Sequence, residues 1–143
     1  MKKLLIINGP NINMLGVREP DIYGRLSYGE LVKKIGEWAS ELGCEAECFQ
    51  SNSEGEIVTK IQRAFFDEVD GIVINPAAYT HTSIAILDAL KAVRIPAAEV
   101  HISDINTREE FRKTSYAGMA CEAHFIGLGP DGYKKAMEYL CSK

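Results

Sequence analysis

Aliphatic runs that alternate with amphipathic helix patterns constrain the fold of this chain most strongly. Five short runs, several nearly continuous in Ile, Val and Leu, have the composition of parallel strands that are covered on both faces. A loop and then a stretch of helical spacing follow each run. The predicted strands are Lys3–Asn8, Glu45–Gln50, Gly71–Asn75, Ala97–Ile102 and Glu122–Leu128. The alternation therefore predicts an α/β fold with helices on both faces of a mainly parallel sheet.

Helix start signals support this pattern. In a capping box a Ser or Thr side chain accepts a hydrogen bond from the backbone three residues later, where a Glu or Gln stands. This spacing predicts three helix starts, at Ser27 with Glu30, Ser53 with Glu56, and Thr107 with Glu110. The predicted apolar stripes are Leu31, Ile35, Trp38 and Leu42; Ile57, Ile61 and Phe65; and Tyr133, Ala136, Met137 and Leu140. Five strands predict a flavodoxin-like three-layer sandwich of order 2-1-3-4-5, which binds ligands beyond the carboxyl ends of its strands.

Length and charge exclude several classes of function. The 143 residues are predicted to form one domain, 1–143, and the net charge of −4 contains no block of like charge. Neither a nucleic acid nor a membrane is therefore an expected partner. The cysteines, Cys44, Cys48, Cys121 and Cys141, lack C-x-x-C spacing, which disfavours a zinc site and is typical of a reduced, cytoplasmic protein.

An unusually long loop follows the first strand. NGPNINMLGVREPDIYG, from Asn8 to Gly24, precedes the helix start at Ser27, whereas such loops usually take about 2–6 residues. The segment contains neither G-x-G-x-x-G nor G-x-x-x-x-G-K-[ST], which disfavours a dinucleotide or nucleoside triphosphate as ligand. The third strand ends at Asn75 rather than at an aspartate, which argues against a phosphoacceptor domain.

The fourth strand carries polar residues where apolar ones are expected. In AAEVHIS, the side chains of Glu99, His101 and Ser103 share one face because successive side chains of a strand alternate. Such violations of the local rule tend to mark functional sites. The alternative is a buried histidine that is satisfied by Glu99, with Ser103 as a helix cap.

Further polar residues are predicted at the same edge of the sheet. Asn75 ends the third strand, and His81 is predicted at the start of the next helix, where backbone N–H groups favour an anion. Alone, His81 would be a surface histidine or a cap; together with Asn75 and His101 it indicates a binding pocket. The histidines with Glu99 match no standard metal site. His124, inside the fifth strand, is predicted to be structural. Asp88, in IAILDAL, is predicted on a solvated face or at a subunit contact.

Five ordered motifs identify the family that this chain resembles. NGPN, REPDIYG, NPAAYTHTS, EVHISDINTREEFRKTSY and GLGPDGY together resemble type II 3-dehydroquinate dehydratase. The resemblance implies loss of water from 3-dehydroquinate to give 3-dehydroshikimate, in the shikimate pathway, without metal or organic cofactor. No lysine occupies the strand ends, so the Schiff-base route of the unrelated type I enzymes is not expected.

The resemblance also implies the catalytic residues. The segment from about Leu15 to Leu26 would be a mobile lid that carries Arg18 and Tyr23. Tyr23 would remove the proton alpha to the ring ketone, and the Arg18 cation would favour the tyrosinate. A water held near Asn11 would support the enolate. His101 would protonate the departing hydroxyl as general acid, with Glu99 orienting and charging it.

The resemblance implies how the substrate is bound as well. Asn75 and His81 would hold ring hydroxyls, Arg112 would meet further hydroxyls, and the backbone at Ile102 and Ser103 would bind the carboxylate. In this family trimers associate further into a dodecamer, so the resemblance implies that Asp88 reaches a neighbouring subunit's site. Two rivals remain: another cofactor-free lyase or isomerase for a small polyol acid, and a binding module that has lost the chemistry.

Overall fold

The sheet of the computed structural model, which describes residues 1–17 and 26–143, has the predicted topology. Its five strands are all parallel and lie in the order 2-1-3-4-5. They are β1 (Lys3–Asn8), β2 (Glu45–Gln50), β3 (Gly71–Asn75), β4 (Ala97–His101) and β5 (Ala123–Ile126). Strand order reverses between β1 and β3, where Asn8 pairs in register with Asn75. The predicted fold class is confirmed.

Two apolar cores lie on opposite faces of the sheet, because neighbouring side chains of β1 point to opposite faces. Leu4 and Ile6 pack into one core and Leu5 and Ile7 into the other, all of them fully buried. The α-helices of the described residues are α1 (Tyr28–Leu42), α2 (Glu54–Phe66), α3 (Ile84–Val93) and α4 (Asp131–Cys141). The first core contains residues of α1 and α4, and the second contains residues of α2 and α3.

Two of the three predicted helix starts are confirmed. The Ser27 Oγ accepts from the Glu30 N–H at 3.1 Å, and the Ser53 Oγ accepts from the Glu56 N–H at 3.2 Å. Gly43 ends α1 in the left-handed conformation that glycine adopts readily. The predicted stripe of α4 is buried at all of its positions.

The helix predicted at Thr107 is wrong. Residues 105–107 and 110–112 form two separate 3₁₀ turns instead. The Asp104 side chain accepts from the Asn106 N–H at 2.9 Å, and the Thr107 hydroxyl donates back to the Asp104 carbonyl at 2.9 Å. Thr107 therefore closes a turn rather than capping a helix, because Asp and Thr side chains compete locally for the backbone.

Other boundaries also differ from prediction, and β4 ends at His101, one residue earlier than expected. The fifth strand is shorter than expected, because Gly127 and Gly129 have positive φ angles of 77° and 61° and turn the chain away. His81 does not start a helix: it ends a 3₁₀ turn, Ala77–His81, and α3 begins after Ser83, whose Oγ accepts from the Ile86 N–H at 2.9 Å. The prediction that His81 stands at the start of this helix is therefore wrong.

The long loop after β1 begins with backbone that packs directly on the end of β3. The Gly9 N–H donates to the Asn75 carbonyl at 2.8 Å, and a Cβ at Gly9 would lie 2.3 Å from the Pro76 carbonyl oxygen. Only glycine fits this approach. Asn11 then adopts a left-handed conformation with φ 70°, which asparagine tolerates better than most residues. Pro10, Asn11 and Ile12 therefore lie over the carboxyl ends of the strands.

The structure also bears on the predictions about membrane spans and cysteines. Within the described ranges, no helix is long and apolar enough to cross a membrane. Cys44 is buried in the first core and Cys48 packs against it, so both pack as small apolar groups.

Replacing Tyr133 with phenylalanine is expected to destabilise the fold by about 1–3 kcal/mol, because buried polar groups lose their partners. The fully buried Tyr133 hydroxyl donates to Asn8 Oδ1 at 2.6 Å and accepts from Asn75 Nδ2 at 2.9 Å. Urea unfolding at matched subunit concentration measures the loss. Tyr139→Phe is the control, since its hydroxyl makes an exposed 3.2 Å bond to Glu122; equal stability of the two variants would contradict the prediction.

Candidate active site

A polar cavity of about 130 Å³ lies beyond the carboxyl ends of β1, β3 and β4, beside the point where strand order reverses. This is the position at which doubly wound sheets bind ligands. Its lining consists of Pro10, Asn11, Ile12, Asn75, Ala77, Ala78, His81, His101, Ile102, Ser103, Ile105, Arg108 and Arg112. Of the residues predicted for the site, Asn11, Asn75, His81, His101, Ile102, Ser103 and Arg112 are therefore brought together.

A buried carboxylate–imidazole pair stands at the end of β4. His101 Nε2 and Glu99 Oε2 are 2.7 Å apart, and both side chains are almost inaccessible to solvent. Alternation along the strand places them on one face, as predicted. Because Nε2 is engaged with Glu99, Nδ1 is the ring nitrogen of His101 that can meet a ligand in the cavity. The pairing directs Nε2 of the imidazole to the carboxylate and leaves Nδ1 available to exchange a proton with a ligand.

Glu99 stays ionised although its side chain is only 2% exposed. Burial opposes its ionisation, but hydrogen bonds from His101, Ser115 and His124 outweigh that penalty and lower the pKa of Glu99 to about 2. The Ser115 hydroxyl donates to Oε2, and His124 Nδ1 lies 2.7 Å from Oε1. The carboxylate therefore presents a permanent negative charge to His101.

His81 offers a neutral acceptor to the cavity. Its Nδ1 lies 2.8 Å from the Thr114 carbonyl oxygen and, as the donor of this bond, carries a hydrogen. Burial lowers the pKa of His81; the bond to Thr114 opposes this, while His101, Arg112 and Arg108 lower the pKa further. The neutral ring then has its lone pair on Nε2, which suits a hydroxyl donor.

Asn75 is held by two bonds at the end of β3. Its Nδ2 donates to the buried Tyr133 hydroxyl at 2.9 Å, and its Oδ1 accepts from the Ala77 N–H at 3.2 Å. An amide has two N–H donors and two lone pairs, so each end retains one for a ligand. The side chain is therefore oriented before any ligand arrives.

Two guanidinium groups reach the cavity from the 105–112 segment. Arg112 Nε pairs with Glu109 Oε2 at 2.7 Å, and its guanidinium lies 5.2 Å from the Phe111 ring centroid. Arg108 lines the same cavity. The cavity therefore has cationic groups on this side, which suits an acidic, hydroxyl-bearing ligand.

Some predicted site residues are not in this cavity. Asp88 lies on the exposed face of α3, as does Ile84 one turn earlier. Arg18 and Tyr23 lie outside the described residues, as does most of the predicted lid. The lid boundaries themselves are described: Leu15 is buried in the first core and Leu26 packs against it.

The comparison with protein families decides the identity of the chain. The model of the family "Dehydroquinase class II" matches residues 2–141. This chain belongs to the class II dehydroquinase family. The match covers nearly the whole chain, as the five sequence motifs predicted.

Named relatives support the assignment to the dehydroquinases. The chain is 58% identical to a 3-dehydroquinate dehydratase of Caldicellulosiruptor bescii over 98% of this chain and 97% of that protein. It is 52% identical to the 3-dehydroquinate dehydratase of Clostridium perfringens, over 99% and 98%. The crystal structure of the type II dehydroquinase from Butyrivibrio crossotus superposes with a TM-score of 0.96 at 51% identity, covering 97% of each chain.

Sequence reasoning missed four residues around this dehydroquinase site. Arg108 lines the cavity, Tyr133 holds Asn75, and Ser115 and His124 donate to Glu99. Arg108 lies in the TREEFR stretch, four residues before Arg112. A second basic residue so close to a predicted site residue could have indicated that Arg108 belongs to the site. The other three meet their partners only through the tertiary fold. Chemically, the arrangement can deliver a proton from His101 to a bound polyol acid and hold its hydroxyls.

Proposed function

We infer that this chain catalyses the dehydration of 3-dehydroquinate to 3-dehydroshikimate, a step of the shikimate pathway, by an enolate route. The observation that carries this inference is the Glu99–His101 pair, whose histidine lines a cavity. His81, Asn75 and Arg112 line the same cavity. Membership of the dehydroquinase family supports the substrate. The free cysteines of the structure support a cytoplasmic location.

Proton abstraction is assigned to Tyr23. The assignment rests on the REPDIYG motif and on the family resemblance, since Arg18 and Tyr23 lie outside the described residues. A free tyrosine has a pKa of about 10, so its anion is scarce at neutral pH. The Arg18 cation in the same motif would favour the anion. Tyr23 would then take the proton alpha to the ketone and leave an enolate, which a water near Asn11 would stabilise.

Expulsion of the hydroxyl is assigned to His101. Protonated on Nδ1, it donates this proton to the departing hydroxyl while the enolate electrons form the new carbon–carbon double bond and the ketone is restored. Glu99 stabilises the imidazolium through Nε2, at 2.7 Å. Water leaves, and the atoms balance without an oxidant or a reductant.

Substrate recognition is assigned to the remaining lining groups. His81 Nε2 would accept from one ring hydroxyl, Asn75 would bind another, and Arg112 would donate to hydroxyl oxygens. The backbone N–H groups at Ile102 and Ser103, just past the end of β4, would bind the carboxylate. All of these groups line the same cavity as His101.

A direct assay tests the function. The purified protein is mixed with 3-dehydroquinate, and the ultraviolet absorbance of the conjugated product is followed from neutral to mildly alkaline pH. We expect turnover that is unaffected by chelators and no adduct after borohydride treatment. An inactive protein that still binds the substrate would support a binding module, and an inactive protein without binding would support a lyase or isomerase for another polyol acid. A borohydride-stable mass increase would show a Schiff-base mechanism instead.

We propose in addition that the chain forms trimers that associate into a dodecamer, in which Asp88 contacts the neighbouring subunit's site. The exposed position of Asp88 on α3, beside the 55% exposed Ile84, supports a contact on this face. Heterologous contacts of this kind close into rings. The acidic side chain would complement the guanidinium groups that line the cavity.

Replacing Asp88 with alanine is expected to weaken the trimer and to lower the rate by about tenfold or more, because an intersubunit contact to the site is lost. Sedimentation velocity at micromolar concentration and the ultraviolet assay measure the two effects. Lys91→Ala, an exposed position on the same helix, is the control and should change neither. A fully active monomeric wild-type protein would refute the assembly while leaving the assignments within one chain intact.

A further inference from the structure

His124 holds the catalytic carboxylate from the side opposite His101. It lies on β5 in direct register with Glu99 of β4, and its Nδ1 is 2.7 Å from Glu99 Oε1. Its own side chain is 45% exposed, whereas that of Glu99 is 2% exposed. We propose that His124 is a positioning residue for the dehydration, which sets through Glu99 how tightly His101 holds the proton that it delivers. The proposal rests on the function inferred above.

The two oxygens of Glu99 are divided between different donors. Oε2 accepts from His101 and from Ser115, and Oε1 accepts from His124. A Cβ at Gly118 would lie 2.5 Å from Oε1, so the backbone there packs closely against this oxygen. Among the described residues, His124 is the one hydrogen-bond donor to Oε1. Removing the His124 side chain would therefore leave Oε1 without this donor, while the hydrogen bonds to Oε2 would remain.

The burial of Glu99 makes this bond consequential. Water cannot readily replace a lost donor around a nearly inaccessible carboxylate, so the charge would concentrate on the remaining bonds. A more basic carboxylate attracts the His101 imidazolium more strongly, and His101 would hold its proton more tightly. A general acid that holds its proton too tightly transfers it more slowly. His124 thus moderates the pull that Glu99 exerts on His101.

Other ionisable groups near this cluster do not duplicate the role of His124. Burial, together with the charges of Glu99 and Glu122, raises the pKa of the Cys121 thiol to about 12, so it stays neutral. Glu122, one residue before β5 begins, pairs with Lys143 at 2.6 Å. On the cavity side His101 faces His81, Arg108 and Arg112, which act on the substrate side of the ring.

Two variants of the full-length protein separate the roles of the bond and of the ring. In His124→Asn the amide nitrogen can occupy the place of Nδ1 and still donate to Glu99, whereas the nearly isosteric His124→Leu cannot donate. The pH dependence of kcat/KM for 3-dehydroquinate is measured for both and for the wild type. In His124→Leu we expect the basic limb to move to higher pH by about half a unit or more and the plateau rate to fall about threefold to tenfold. In His124→Asn we expect the limb to stay at its wild-type position.

Each outcome bears on the proposal. Unchanged profiles in both variants would overturn it, as would equal losses of rate and melting temperature without any shift of the limb, because these would indicate a purely structural histidine. Should His124→Leu fail to fold, His124→Val, which suits a strand, must give the same shift. Absence of turnover in the wild type would refute the inferred function instead, so the two failures are distinguishable.

Discussion

Tyr23→Phe is expected to abolish turnover, with a loss of at least about a thousandfold in kcat, while 3-dehydroquinate still binds. The substitution removes only the phenolic oxygen to which the proposed mechanism assigns the alpha proton, so the other groups proposed to hold the substrate remain. A thousandfold loss corresponds to about 4 kcal/mol of transition-state stabilisation. The ultraviolet assay measures kcat, and equilibrium binding of the substrate to the variant measures the affinity.

Two further variants make the test of Tyr23 specific. Arg18→Ala should lower kcat by about a hundredfold or more, because it removes the cation that is proposed to favour the tyrosinate. Tyr116→Phe, a tyrosine outside the cavity lining, should retain the wild-type rate. A near-normal rate in Tyr23→Phe would remove this residue from the mechanism and reassign the base to another group.

His101→Gln is expected to abolish or nearly abolish activity, by about a thousandfold or more, without a large loss of stability. The glutamine amide nitrogen can occupy the place of Nε2 and maintain the 2.7 Å contact to Glu99, but it cannot deliver a proton. His101→Ala should lose the rate equally and also unfold at a lower temperature, because the buried carboxylate loses one of its donors. The assay and thermal unfolding at matched protein concentration measure both variants.

The pair of substitutions distinguishes catalysis from structure at His101. If His101 only satisfied Glu99, His101→Gln would retain the wild-type rate and His101→Ala would show a lowered melting temperature as its main defect. A general acid requires the opposite result, with the rate lost in both variants and stability lost mainly in alanine. Activity retained in His101→Gln would falsify the assignment of His101 as the acid.

The fold of this chain could be predicted from local patterns. Strand alternation and helical spacing are properties of neighbouring residues, so β1, β2 and β3 were located at their observed bounds, and the strand order followed from the rules for such sheets. The prediction failed where several local signals compete. At Thr107 the capping-box spacing is present, but Asp104 forms its own turn with the same backbone and prevents the helix.

Much of the candidate site could be predicted for the same reason. Residues at the carboxyl ends of parallel strands meet at one edge, so Asn75, His101 and Ser103 are expected together and line one cavity, which Asn11, implied by the resemblance, lines as well. The Glu99–His101 pair followed from alternation along a single strand. The motif REPDIYG supplied Arg18 and Tyr23, whose roles remain predictions.

The sequence by itself therefore determined the strands, the sheet order, the family and the residues at the strand ends, because these depend on spacing along the chain. Only the tertiary structure decided which groups surround Glu99. His124 is 25 residues away from it in sequence, and Ser115 is 16 residues away. Their contacts depend on the register between β4 and β5 and on the path of the intervening loop. Long-range register and loop path are set by packing of the whole chain, so His124, which is predicted to be structural, lies on the buried carboxylate of Glu99.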